Sequence, residues 1–410
     1  MAEYVIIGNG IAATGCIEGI RSVDKEGKIT VISGEDHPVY ARPLISYLLE
    51  SKTDPVRMNY RSPDFYEKNG CDVFYGRTAV SIDPESKTVT LDDGRNICYT
   101  DVCVASGSSP FVPPFEGLES VEKKFSFMTL DDALGLQRSV TKDSRVLIVG
   151  AGLIGLKCAE GLYGSVSSIT VCDLADRVLS SILDSECAGI IQKHLEEKGL
   201  IFKLGDSAAR FEAGRAYMKS GETVDFDVLV LAVGVRANSS IVKNAGGDVN
   251  RGIIINTKME TSLPDVYAAG DCAEGFDMSI GKNRVLAILP NAYMQGHAAG
   301  VNMAGGCEVF DNSIPMNSLG LLGIHIMSDG NYAGDMLEEK KDGSLKRFFV
   351  SDDRLNGFII IGDTERAGIY TSLVRERVPL SSIDFKSLTE LSSSAVFSAE
   401  VRKKRFGEVH

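Results

Sequence analysis

No apolar run in this chain approaches the ~18 residues that a membrane-spanning helix needs, which argues against such a helix. The opening Met1-Ala2-Glu3 leads directly into strand-like residues, without the basic stretch or cleavage site of an export signal, so a cytoplasmic location is expected. Basic charge is scarce. The 43 Lys and Arg face 56 Asp and Glu, and the net charge of -13 argues against general nucleic-acid binding, which needs a basic face. The one basic run, Arg402-Lys403-Lys404-Arg405, lies near the C-terminus and reads as a solvated tail segment. Metal-ligand patterns are missing too: there is no HExxH, no Cys/His cluster, and only five scattered histidines, so no metal is expected. The nine cysteines contain no CxxC pair, which suits free thiols in a reducing compartment. Cys98 and Cys103 have a spacing seen in redox disulfides, but Cys103 falls inside the apolar run Val102-Cys103-Val104-Ala105, the setting of a buried strand.

What the chain does have is a glycine turn between a strand and a helix. Val146-Leu147-Ile148-Val149 runs into Gly150-Ala151-Gly152-Leu153-Ile154-Gly155, and a helical pattern follows. In a dinucleotide-binding unit Gly150 permits the tight turn and Gly152 lets the backbone approach a pyrophosphate. Gly155 brings the helix close to the strand, with its N-terminus facing the phosphates. An acidic residue is expected about 20 positions on to bind a ribose hydroxyl. Asp173, ending Ile169-Thr170-Val171-Cys172, supplies it. A lone motif of this kind can be an ordinary turn, but this chain contains two. Tyr4-Val5-Ile6-Ile7 leads into Gly8-Asn9-Gly10-Ile11-Ala12-Ala13, with alanine in the third place, and Ile29-Thr30-Val31-Ile32 ends beside Glu35. Two such units imply two dinucleotides, the arrangement needed to hold a nicotinamide against a flavin.

The 410 residues suffice for two or three domains, each with its own core. The spacing predicts an α/β chain with two Rossmann-like βαβ domains. An FAD domain (residues 1–113 and 237–310) is interrupted by an inserted NAD(P)H domain (114–236), and a small α+β domain (311–385) and a tail (386–410) follow. After Glu35 a turn carrying Arg42 and Pro43 leads into a helix, and Arg42 is expected to contact the FAD diphosphate. Strands are expected near Asp72–Tyr75, Thr78–Ile82 and Lys87–Leu91. Two buried strands end on small residues, one at Ala105-Ser106-Gly107 and one at Gly234, and their likeness suggests duplicated domains. The strand through Gly270 delivers Asp271, either as a helix cap or as a ligand to the ribityl or phosphate part of FAD. Pro290-Asn291-Ala292 opens a helix whose N-terminus would favour an anionic reduced flavin.

Taken together, the two glycine turns, the ASG and AVG loops and the AAGDC strand resemble the two-dinucleotide-binding-domain flavoproteins of the pyridine nucleotide–disulfide oxidoreductase superfamily, over roughly residues 1 to 310. Tyr40-Ala41-Arg42-Pro43, Gln295-Gly296 and Gly362-Asp363-Thr364-Glu365-Arg366-Ala367-Gly368 narrow the resemblance. They point to the NADH:rubredoxin reductase and nitrite-reductase-like branch, including flavoproteins encoded beside carbon monoxide dehydrogenase. The resemblance implies FAD and NADH as cofactors and a rubredoxin- or ferredoxin-like iron–sulfur carrier as acceptor. It implies an FAD site at Gly8, Gly10, Ala12, Ala13, Glu35, Arg42, Pro43, Ala105, Ser106, Gly107, Gly270, Asp271, Asn291 and Ala292. The nicotinamide site would be Gly150, Gly152, Leu153, Ile154, Gly155, Asp173 and Gly234. The C-terminal domain would serve as a docking platform or as the interface of a homodimer.

The departures from related families also matter. The helix over Arg42 to Glu50 lacks the redox cysteine of the disulfide reductases. Tyr47 stands where ferredoxin reductases have lysine, and Lys157 where they have glutamate. Lys157 is therefore expected to supply positive charge near the flavin N5 or the nicotinamide amide. Asp173 favours NADH over NADPH, with Arg177 close by as the counterweight. Two rival readings are a thiol, peroxide or oxygen reductase using a cysteine near the flavin, and a flavin-binding sensor or assembly subunit.

Overall fold

The computed structural model describes residues 2–341 and 343–391, so the run Arg402-Lys403-Lys404-Arg405 and most of the expected tail lie outside the described residues. The chain divides into two compact units. The first runs to Phe276 and resumes over Asn283–Asp311; the second takes Asp277–Lys282 and continues from Asn312.

The first unit contains two parallel five-stranded sheets. One is formed by β1 (Glu3–Ile7), β2 (Lys28–Ile32), β3 (Cys71–Phe74), β4 (Asp101–Val104) and, from late in the chain, β10 (Val266–Ala268). The other contains β5 (Lys124–Phe125), β6 (Arg145–Val149), β7 (Ser168–Asp173), β8 (Ile201–Leu204) and β9 (Val228–Leu231). Their orders, β10-β4-β1-β2-β3 and β5-β9-β6-β7-β8, match over four strands, and the flanking fifth comes last in the chain in the first sheet (β10) but first in the second (β5). Each glycine turn follows the middle strand. The registers match as well, with Val5 between Thr30 and Val102, and Leu147 between Thr170 and Leu229. The middle strands are buried along nearly their whole length, which is why they read as unbroken apolar runs rather than as alternating ones.

Helix α1 (Ile11–Val23) follows the first turn, and α2 (Ile45–Leu49) follows the Arg42-Pro43 turn. α3 (Leu130–Ser139) precedes β6, α4 (Leu153–Leu162) follows the second turn, and α5 (Leu289–Met303) comes after β10. α1 and α5 run parallel at backbone contact. A Cβ on Gly296 would lie 2.0 Å from the Ala12 carbonyl oxygen, and one on Gly300 2.1 Å from that of Cys16. This packing brings the N-terminal ends of the two helices to the same edge of the sheet. Of the strands expected near residues 72–91, only Cys71–Phe74 joins the parallel sheet. Ala79–Asp83 and Thr88–Leu91 form a separate antiparallel sheet with Asn96–Cys98.

The second unit is an antiparallel sheet with helices. Its strands β11 (Met316–Leu321), β12 (Ile324–Gly330), β13 (Asp335–Lys341), β14 (Ser344–Ser351) and β15 (Arg354–Ile361) are ordered β11-β12-β15-β14-β13. α6 (Gly368–Arg375) and α7 (Phe385–Leu391) complete a core of Phe348, Phe358, Tyr370, Leu373 and Leu388. α7 occupies a stretch where the sequence pattern predicts a tail from residue 386. Burial of Leu388 and a hydrogen bond from the Tyr370 hydroxyl to its carbonyl (3.1 Å) hold this segment as a helix. Within this unit Asp329 is 1% exposed and neither carboxylate oxygen makes a well-formed hydrogen bond. Thr371 Oγ1 and Arg375 Nε, on α6, are likewise buried without one. Burial pushes the Asp329 carboxyl up to about 7, against the pull of Thr371 and the Arg375 charge. No helix among the described residues is long and apolar enough to cross a membrane.

Candidate functional site

The two glycine turns repeat each other in detail. Gly8 has φ +116° and Gly150 +118°, and a Cβ on either would lie 2.1 or 2.2 Å from the carbonyl oxygen of Ala105 or Ala232, just past the neighbouring strand. Only glycine satisfies both demands. Gly10 and Gly152 cap α1 and α4 with no side-chain acceptor and no acid in the first turn, and a methyl added at either glycine would meet nothing within 4 Å. The bare N–H groups of both helices therefore face open space, as an anion site requires. The third places differ: Ala13 is fully buried, whereas a Cβ on Gly155 would lie 1.9 Å from the Gly150 oxygen. Leu153, 41% exposed, stands at the rim of the second turn, with the half-buried Ile154 beside it. α5 also begins without a side-chain cap or acid; Pro290 lies in its first turn, with Asn291 and Ala292 buried after it.

Around the first turn the structure gathers Glu35, Arg42 and Asp271. Glu35 Oε1 accepts from Arg42 Nη2 (2.6 Å) and Oε2 from the Tyr40 hydroxyl (2.7 Å). Arg42 Nη1 donates to the Met128 carbonyl (2.7 Å), so the guanidinium bridges backbone and carboxylate, where the sequence pattern predicts only a diphosphate contact. Pro43 sits in the short 3-10 turn over Arg42–Leu44. Asp271 caps no helix through its side chain. Burial raises its carboxyl, Arg42 and a 3.5 Å hydrogen bond from Ser108 Oγ oppose the rise, and the turn before it is held by Gly270 N donating to Gln295 Oε1 (2.9 Å). Ala105 is buried, and Ser106 and Gly107 are tied to Asn238. Ser106 Oγ donates to its carbonyl and Asn238 Nδ2 to the Ser106 carbonyl, both at 2.9 Å, while Asn238 N donates to Gly107 O at 2.9 Å. Beside these contacts Ser108–Pro110 and Val235–Ala237 pair as an antiparallel ribbon, directly after Gly234 on the second strand.

At the second turn Asp173 accepts from Ala151 N (2.6 Å) and Ala175 N (2.8 Å), which holds its carboxylate beside the glycines. Each carboxylate has about four acceptor positions, so Glu35 and Asp173 both retain two for a ribose diol. Bare helix N-termini for a diphosphate, a carboxylate for each ribose and Asp271 for a hydroxyl chain form a donor and acceptor set that fits FAD at the first turn. The second turn fits NADH. Arg177 is engaged by Asp176 (2.8 Å) and the Leu183 carbonyl (3.4 Å).

Lys157 lies between the two lobes. It pairs with Glu160 on its own helix and stands over the Tyr47 ring at 5.1 Å, and Lys52 approaches the same ring at 5.8 Å. The tyrosine and lysine singled out in sequence as departures are thus in contact. None of the nine cysteines is in a disulfide. Burial pushes Cys272 up to about 11 and Cys71 and Cys172 up to about 12 and raises Cys158, while a hydrogen bond with Cys16, then burial, raises Cys103, so none of these five is poised as a thiolate. Among the described residues no three His, Cys, Asp or Glu side chains group as metal ligands. Sequence reasoning missed Tyr40, Glu160 and Asn238. Only Tyr40 carried a signal, as the first residue of the Tyr40-Ala41-Arg42-Pro43 stretch.

Such a pair of turns, each at the centre of a sheet that shares a four-strand order with the other, defines a protein built to hold two dinucleotides. The chain belongs to the pyridine nucleotide-disulphide oxidoreductase family, whose model matches residues 2–296; residues 315–378 match the rubredoxin NAD+ reductase C-terminal domain. It is 31% identical over 388 residues to the assimilatory nitrate reductase electron transfer subunit of Bacillus subtilis, covering 92% of this chain and 49% of that one. It therefore spans about half the length of that relative. It is also 28% identical over 393 residues to the NADH-dependent phenylglyoxylate dehydrogenase subunit epsilon of Aromatoleum evansii, covering 92% and 93% of the two chains. Among solved structures, the covalent putidaredoxin reductase–putidaredoxin complex shares the fold, with a TM-score of 0.87 at 22% identity over 96% of this chain and 97% of that one.

Proposed function

We propose that this chain is an FAD-dependent NADH oxidoreductase that passes electrons to a small one-electron carrier of the rubredoxin or ferredoxin-like iron–sulfur kind. The carrying observation is the duplicated turn: two bare helix N-termini, each beside a carboxylate, in one unit. The bound groups supply the redox chemistry, NADH a hydride and FAD the conversion to single electrons. The protein binds and orients. The N–H groups of α1 beyond Gly8 and Gly10, with Ala12 and Ala13 behind them, hold the FAD diphosphate. Glu35 binds its ribose, Asp271 its ribityl hydroxyls, and Arg42 and Pro43 form the adjoining wall. The loop Ala105-Ser106-Gly107 and the start of α5 at Asn291 and Ala292 complete that site. Gly150, Gly152, Leu153, Ile154, Gly155, Asp173 and Gly234 hold NADH. Lys157, paired with Glu160 and held over the Tyr47 ring, would supply positive charge near the flavin or the nicotinamide amide.

The match to a rubredoxin reductase C-terminal domain supports a rubredoxin-type acceptor, with the second unit as docking platform. A homodimer is the second reading for that unit, favoured by the half-exposed Met336 and Leu337 on the sheet-edge strand β13. The free cysteines suit a cytoplasmic setting. The test is an anaerobic NADH titration of the purified protein, counting electrons per FAD. Uptake of two, without a thiolate–flavin charge-transfer band, is expected; uptake of four with that band would transfer the assignment to a thiol reductase.

A further inference from the structure

We propose that Tyr40 is a positioning residue that couples the first dinucleotide site to the second, by joining the Glu35 carboxylate to the start of α3. The inference rests on the reading of the first site as the FAD site.

A helix leaves its first N–H groups without intrahelical partners. At α3 a capping box satisfies part of the need: Thr129 Oγ1 accepts from Asp132 N, and Asp132 Oδ2 accepts from Thr129 N, both at 3.0 Å, and from Met128 N at 2.9 Å. Leu130 N is outside that box and buried, and its partner is the Tyr40 hydroxyl, 90 residues earlier, at 2.9 Å. Two residues beyond Tyr40, Arg42 grips the Met128 carbonyl at 2.7 Å. These two neighbouring side chains thus hold two backbone groups on either side of Thr129. An outer pair, His37 Nε2 with Asp131 Oδ1 at 3.0 Å, lies beside them.

Both grips originate on one carboxylate. Glu35 Oε2 accepts a hydrogen bond from the Tyr40 hydroxyl and Oε1 accepts one from Arg42. Tyr40 is 8% exposed, and burial keeps its phenol protonated far above the usual range, so it donates to Glu35 while accepting from Leu130. Hydrogen bonds in such a chain strengthen one another. Ribose hydroxyls donating to the two remaining acceptor positions of Glu35 would fix the carboxylate that orients both Tyr40 and Arg42. These in turn fix the start of α3, which leads through a short loop into β6 and so to Gly150. Coupling of this kind is reciprocal: a ligand at the second turn must tighten FAD at the first by the same factor.

The experiment measures FAD retention by the full-length holoprotein, from flavin absorbance after dilution and filtration, with and without saturating ADP-ribose. ADP-ribose is the probe because it lacks the nicotinamide and so makes no ring contact with flavin. In the wild type ADP-ribose should tighten FAD on the order of fivefold or more, within the usual range of coupling between sites. Tyr40→Phe keeps the ring and removes the hydroxyl; the factor should fall to about one, while amide exchange at Leu130 in the FAD-loaded variant rises about tenfold or more. A wild-type factor of one overturns the proposal, and so does a Tyr40→Phe factor equal to that of the wild type, which is what a purely structural tyrosine gives. A wild type that retains no FAD at all refutes the FAD reading of the first site instead.

Discussion

Asp329 should make the second unit less stable as the pH rises through neutrality, and Asp329→Asn should remove that dependence. The carboxyl is buried on β12 with no well-formed hydrogen bond, and burial, against the pull of Thr371 and Arg375, pushes its folded-state value from 3.8 to about 7. With the folded value raised, the folded state holds its proton where the unfolded chain has released it. The favourable contribution is therefore complete below the unfolded value, and it is lost as pH climbs from about 4 to about 7. At about 1.36 kcal/mol per unit, the loss is about 1.7 kcal/mol near pH 5 and about 4 kcal/mol near pH 8. An asparagine at this position has no proton to lose, so the variant's stability relative to wild type should rise by about 2.5 kcal/mol between those conditions. Global melting of a chain with several cores is a poor readout. The assay is native-state amide exchange along β12 and α6, which reports the second unit directly. A difference between variant and wild type that is the same at both pH values would refute the reasoning, as would a variant that loses ground at the higher pH.

Within the second glycine turn, Gly152→Ala should leave stability within about 1 kcal/mol, since φ is −80° and nothing adjoins the methyl, yet weaken NADH binding about tenfold. Gly155→Ala, only three residues on, should instead cost about 1–3 kcal/mol of stability by driving α4 off the Gly150 carbonyl; paired thermal melts and NADH titrations separate the two. Lys157→Ala should slow anaerobic flavin reduction by NADH about tenfold, equivalent to ~1.4 kcal/mol, and stopped-flow rates equal to wild type would remove Lys157 from the mechanism. The ratio of kcat/KM should favour NADH over NADPH, because the Asp173 carboxylate repels a 2′-phosphate; Asp173→Ala should narrow that ratio, and an NADPH preference in the wild type would contradict the assignment.

The parts of this molecule that are legible in sequence are those where backbone geometry restricts the residue type. Gly8 and Gly150 announce themselves because a positive φ and a carbonyl about 2 Å from the missing Cβ admit nothing else. The matching strands are legible because a strand covered on both faces reads as an unbroken apolar run, as at Val146–Val149. What stays hidden depends on contacts between distant positions. Asn238 reaches Ser106 across 132 residues, and Tyr40 reaches Leu130 across 90; neither leaves a local pattern. Arg42 stands beside Glu35 in sequence as in space, but its second partner is a backbone carbonyl, and any residue type supplies one. The stretch from residue 386 reads as tail because its helix is short: Phe385, Leu388 and Leu391 keep a helical spacing over only seven residues, flanked by serines and charges that dominate the local pattern.

The ribbon of Ser108–Pro110 and Val235–Ala237 bears on the history of the chain. Every strand of the second sheet lies between these two segments, so the polypeptide leaves and re-enters the first lobe at points one strand spacing apart, about 4.8 Å. A lobe attached in this way can be gained, lost or exchanged by joining two adjacent ends, with little disturbance to the sheet that hosts it. The order shared by four strands of each sheet, with the repeated glycine turn, then suggests a simple ancestry, in which one nucleotide-binding gene was copied into a hairpin of itself. By the same geometry, grafting a foreign lobe between Pro110 and Val235 is a practical route to changing the electron donor while leaving the flavin lobe untouched.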